Sequence, residues 1–66
     1  MVYKVVLQRN GREIETIYWS GSLVETVNLA RTLALKCEAD RFRIIEFADG
    51  GAEVRSEEAP SLNNRQ

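Results

Sequence analysis

A two-layer α+β domain of order β-β-α-β-β, a mainly antiparallel sheet with one helix packed on one face, is predicted by three local signals. Asn10-Gly11 and Asp49-Gly50 are tight-turn dipeptides, each between short runs rich in β-branched and aromatic residues. That is the strongest hairpin mark a sequence carries. Between them, Ser22 and Glu25 have capping-box spacing at the head of an amphipathic segment. The chain reads hairpin, helix, hairpin.

The first two strands are expected over residues 2–9 and 12–19. With Asn10 and Gly11 central in a type I′ turn, Leu7 falls opposite Ile14, Val5 opposite Thr16 and Tyr3 opposite Tyr18. These six form a largely apolar face for the helix. The other face sets Val2, Lys4, Val6 and Gln8 against Trp19, Ile17, Glu15 and Glu13. It is polar near the turn and apolar away from it.

Ser20-Gly21 breaks the second strand, and the helix is expected over residues 23–38, with Ala39-Asp40 as a connector. Leu23, Val27, Ala30, Ala34 and Cys37 recur at alternating spacings of three and four, and Leu33 widens the stripe. Its two alanines let the helix lie close to a sheet. Glu25, Asn28, Thr32 and Lys36 form the wet side, while Val24 and Leu35 fall off the stripe.

The third strand, over residues 41–48, has apolar residues on both faces, as a central or covered strand requires. The fourth, over residues 52–57, is more polar and suits an edge. A two-residue turn at Asp49-Gly50 sets Glu46 against Glu53, and like charges directly opposite are destabilising. A longer loop through Gly51, with a bulge, relieves that clash. Strand order stays open, because the connection through the helix also permits a parallel neighbour with a right-handed crossover.

The 66 residues make one domain, residues 1–58, followed by a disordered tail over residues 59–66. A chain this short lies near the lower limit for folding without staples, and self-association is the cheapest source of further buried surface. A net charge of −1 supplies no bulk attraction to nucleic acid or to an anionic membrane. Without a signal-peptide pattern or a long apolar run, the expectation is a cytoplasmic protein with no membrane partner. One cysteine and no histidine preclude an intrachain disulfide and give little basis for a metal or cofactor. Cys37 lies on the inner stripe of the helix, where a thiol acts as a small hydrophobe.

Three functional classes bear on such a chain. Catalysis would draw on Glu13 and Glu15, or on Glu57 and Glu58, but a small two-layer fold offers little cleft to separate their pKa values. Gly50-Gly51 turns between strands instead of opening a helix, so no phosphate loop exists and no enzyme is expected. Nucleic-acid binding is the alternative reading, through Lys4, Arg9, Arg12, Arg43 and Arg55 on the hairpins. Glu13, Glu15, Glu46 and Glu53 interleave with them and weaken the field that phosphate recognition needs. The leading reading is a non-catalytic protein-interaction module that associates with itself, as a homodimer, or with another protein. Val2, Val6, Ile17 and Trp19 from the first hairpin, joined by Phe42 and Ile44 from the second, are its expected apolar outer face.

The order of elements resembles that of small antitoxin-like and phage-encoded α+β modules. This is a likeness of arrangement alone, and an arrangement carries no function.

Overall fold

The computed structural model describes residues 1–47 and 50–59. Strand β1 (Val2–Arg9) and strand β2 (Arg12–Ser20) precede helix α1 (Leu23–Cys37), which is followed by β3 (Arg41–Glu46) and β4 (Glu53–Glu58). The four strands form one sheet in the order β2-β1-β3-β4, and every neighbouring pair is antiparallel. The domain is therefore the β-β-α-β-β fold its turns and cap predict. The chain passes from β2 through α1 to β3 on the far side of β1, so the parallel arrangement does not occur. β1 and β3 are central, which accounts for apolar residues on both faces of β3.

Asn10 and Gly11 have φ of 55° and 79°, as a type I′ turn demands. The turn is tethered from outside the hairpin. The Asn10 N–H donates to Asp40 Oδ2 at 2.8 Å, and the Asp40 N–H donates to the Gln8 carbonyl at 2.9 Å. The Asp40 carbonyl in turn accepts from the Ala59 N–H at 2.9 Å. Ala59 is buried in the core cluster, so packing extends one residue past the expected end of the domain. Residues 60–66 of the expected tail lie outside the described residues, as do Ala48 and Asp49 of the second turn.

The helix begins where the capping box places it. Ser22 Oγ accepts from the Glu25 N–H at 3.1 Å, and a Glu25 carboxylate oxygen accepts from the Ser22 N–H at 3.2 Å. It ends at Glu38, whose left-handed φ of 59° lets the Ala39 N–H donate back to the Ala34 carbonyl at 2.8 Å. Replacing Ser22 by alanine leaves the first-turn donors without that oxygen and should cost about 1 kcal/mol. Urea unfolding followed by circular dichroism would register this as a lower midpoint with an unchanged slope.

Val27, Ala30 and Ala34 bury the inner stripe, with Leu23, Leu33 and Cys37 packed beside them. The stripe lies over β1 and β3, against Tyr3, Val5, Leu7, Phe42 and Ile44. Thr26 is also fully buried, which its residue type does not suggest. Its hydroxyl donates to the Ser22 carbonyl at 2.7 Å, so burial leaves no polar atom unpaired. Val24 and Leu35 are exposed.

In the second hairpin, Ile44 pairs with Arg55 but Ile45 pairs with Glu53, leaving Val54 as an extra residue in a bulge. The Glu46 N–H then donates to the Ala52 carbonyl at 2.9 Å, and the Glu46–Glu53 pairing is avoided. Gly50 and Gly51, at φ of 74° and 80°, supply the longer loop.

Candidate protein-interaction surface

A second bulge, in the first hairpin, decides which side chains face outward. Leu7 pairs with Glu15 while Gln8 pairs with Glu13, so Ile14 is the extra residue on β2. Beyond it the pairing slips by one, and a slip of one moves every side chain to the opposite face. Ile17 stands opposite Val5 and Trp19 opposite Tyr3, on the side of the helix. Thr16 and Tyr18, assigned inward by a regular hairpin, stand opposite Val6 and Lys4 on the outer side.

The expected interface residues are consequently not brought together. Phe42 pairs with Leu7 and Ile44 with Val5, which puts both in the helix-side core, 0% exposed. Ile17 packs against that core. Trp19, 39% exposed, lies on the helix side of the sheet beside Gly21, where an added Cβ would stand 2.9 Å from its Nε1. Of the six, only Val2 and Val6 belong to the outer face. Val6 is 3% exposed between Thr16 and Arg43, leaving Val2 as the accessible one.

The outer face has its own apolar end, built from residues outside that set. Tyr18 and Phe47 meet edge to face, with ring centroids 5.6 Å apart and planes at 89°. Each is 58% exposed. Val2 lies beside Phe47, its carbonyl accepting from the Phe47 N–H at 2.9 Å, and Ile45 extends the patch opposite Lys4. The helix covers the other side of the sheet, and among the described residues no element lies over this one.

Away from this end, the same face is charged, and its two arginines are matched within the domain. Arg43 Nε and a Glu53 carboxylate oxygen are 2.7 Å apart, and Arg41 reaches Glu58 at 3.7 Å and Ser56 Oγ at 3.1 Å. The basic residues of the nucleic-acid reading are scattered. Arg9 donates to the Cys37 carbonyl at 3.2 Å at the end of the helix, and Arg12 flanks the turn. Lys4 and Arg43 lie on the outer face, whereas Arg55 lies on the inner one beside Glu57, at 3.0 Å.

A depression of about 280 Å³ separates α1 from β4, lined by Leu23, Val24, Val27, Asn28, Arg31 and Arg55. Glu57 engages both guanidinium groups, reaching Arg31 at 3.1 Å and Arg55 at 3.0 Å. The other carboxylates considered for acid–base work do not converge on it. Glu13 accepts from the Thr16 hydroxyl, and Glu58 pairs with Arg41. Among the described residues, no three His, Cys, Asp or Glu side chains come together as metal ligands, and no helix is long and apolar enough to cross a membrane.

Searches against protein-family profiles, curated proteins and solved structures find no match to this chain.

Proposed function

We propose that this domain is a small non-catalytic protein-interaction module that associates with a second copy of itself. The copies meet at Tyr18, where the uncovered sheet face reaches the edge strand β2. The observation that carries the reading is the Tyr18–Phe47 pair, more than half exposed on a face that the helix leaves open. Exposed apolar patches on small domains mark interaction sites, and aromatic side chains are favoured anchors there. Arg41 and Arg43 on the rest of the face are matched by Glu58 and Glu53, so they exert little pull on a strongly charged partner. A nearly neutral, apolar partner suits such a surface, and the identical patch on another copy meets that description. The lone thiol of Cys37, half-buried, agrees with residence in the reducing cytoplasm.

Sedimentation velocity from low micromolar to near millimolar concentration tests this reading with the wild type and Tyr18→Glu. The wild type should pass from one chain to two as concentration rises, and Tyr18→Glu should stay a folded single chain. A wild type that sediments as a single chain throughout would remove the proposal.

A further inference from the structure

Among the described residues both edges of the sheet, β4 and β2, are free, and they are protected very differently. β4 carries Glu53, Arg55, Glu57 and Glu58 within its six residues, and charge of that density discourages a neighbouring strand. β2 divides in two. Its first half holds Arg12, Glu13 and Glu15 and is bent by the bulge at Ile14, both recognised guards of an edge. Its second half, Thr16, Ile17, Tyr18, Trp19 and Ser20, contains no charge, no proline and four residues of high strand preference. That half is an open template.

The direction of its backbone groups follows from the hydrogen bonds of β1. The Met1 carbonyl accepts from Gly21 on the β2 side, whereas the Val2 and Gln8 carbonyls accept from Phe47 and Asp40 on the β3 side. Because antiparallel strands alternate, odd residues of β1 bond to β2 and even residues bond to β3. Thr16, Tyr18 and Ser20 stand opposite the even residues Val6, Lys4 and Val2. Their own N–H and C=O groups therefore point away from β1, toward the open edge.

From this we infer that two copies join antiparallel along the second half of β2, with Tyr18 on the two-fold axis. The inference rests on the self-association proposed above and specifies its geometry. In this register Tyr18 opposes Tyr18 of the second copy, Thr16 opposes Ser20, and Ile17 opposes Trp19. Every pair is uncharged, and the pairs that must exchange backbone hydrogen bonds are the ones whose groups face the edge. Centring on Ile17 instead sets Glu15 against Trp19, and centring between two residues matches an outward-facing residue with an inward-facing one. A segment complementary to its own antiparallel copy is what a two-fold interface requires. The helix side supports the same occupant. α1 lies over β1 and β3, so Ile17 and Trp19 on β2 form a partly uncovered shelf. The Ile17 and Trp19 of a second copy extend that shelf across the seam. On the outer side, the two Tyr18–Phe47 pairs merge into one aromatic row across an eight-stranded sheet.

Amide exchange read by NMR, at low micromolar and near-millimolar concentration, tests the edge pairing apart from self-association itself. Protection of the Thr16, Tyr18 and Ser20 amides should rise at least about tenfold as the dimer forms, since pairing closes groups that are open in the single chain. A dimer by sedimentation in which these three amides stay at open-strand rates overturns the edge pairing and leaves self-association standing. A single chain at every concentration overturns both. Tyr18→Pro removes an N–H that β1 does not use, as an edge position allows. The folded variant should no longer dimerise, and a folded Tyr18→Pro that still dimerises would contradict the proposed pairing.

Discussion

Phe42→Ala should leave the domain largely unfolded at 25 °C. Phe42 is the largest of the fully buried side chains, held on central strand β3 opposite Leu7 and under the helix. Truncating a buried phenylalanine to alanine costs about 3–5 kcal/mol, part in lost transfer energy and part in the cavity left behind. A chain of this length has total stability of roughly 3–10 kcal/mol on the usual per-residue scale. The loss is thus comparable to the whole. Alanine residues line the facing helix, and Ala30 and Ala34 have no longer side chain to move into the void. Circular dichroism during urea titration should show little or no folded baseline for the variant beside a cooperative transition for the wild type.

The second large effect is a contrast between neighbours. Ile17→Glu should cost about 2–4 kcal/mol, because it forces a carboxylate against the core where Ile17 now packs beside Val5. Tyr18→Glu, one residue on, should cost about 1 kcal/mol or less, chiefly the edge-to-face contact with Phe47. A regular first hairpin predicts the reverse order, since it turns Tyr18 inward and Ile17 outward. Urea midpoints of the two variants, measured at a concentration low enough to keep the chain single, decide between the registers. Equal losses, or the greater loss for Tyr18→Glu, would refute the bulge at Ile14.

That contrast also marks where the sequence was legible. The turn at Asn10-Gly11, the capping box of Ser22 and Glu25, and the inner stripe of the helix are encoded within a few residues each. Local chemistry suffices to read them. The second hairpin's bulge was legible as well, because the simple register set Glu46 against Glu53 and charge exposed the fault. The first bulge had no such alarm. A type I′ turn fixes Arg9 opposite Arg12, and nothing in Ile14 itself announces that pairing will slip two residues later. The slip is a tertiary choice. It turns Ile17 and Trp19 to the side of Tyr3, Val5 and Leu7 and turns Thr16 and Tyr18 outward, a choice no single residue of the hairpin encodes. Phe42 and Ile44 were misplaced for a related reason: a central strand with apolar residues on both sides does not reveal which side the helix takes. Strand order decided it.

The register decides which residues form the uncovered face. An interaction surface on the uncovered sheet face was the expectation, yet only Val2 remains accessible there from the residues first assigned to it. Tyr18 and Phe47 take over because the bulge turned one outward and the end of β3 left the other beside it. The same bulge guards one half of β2 and leaves the other half open.

Everything about this surface depends on the pairing of β1 with β2, and the α-protons of those strands report it directly. In antiparallel sheets, residues opposite each other without mutual hydrogen bonds bring their α-carbons to about 4.5 Å, giving strong through-space cross-peaks between α-protons. With the bulge at Ile14, those pairs are Lys4 with Tyr18 and Val6 with Thr16. Cross-peaks at these two positions in a nuclear Overhauser spectrum are the predicted result. Cross-peaks joining Lys4 to Ile17 and Val6 to Glu15 would contradict it and return Trp19 to the outer face.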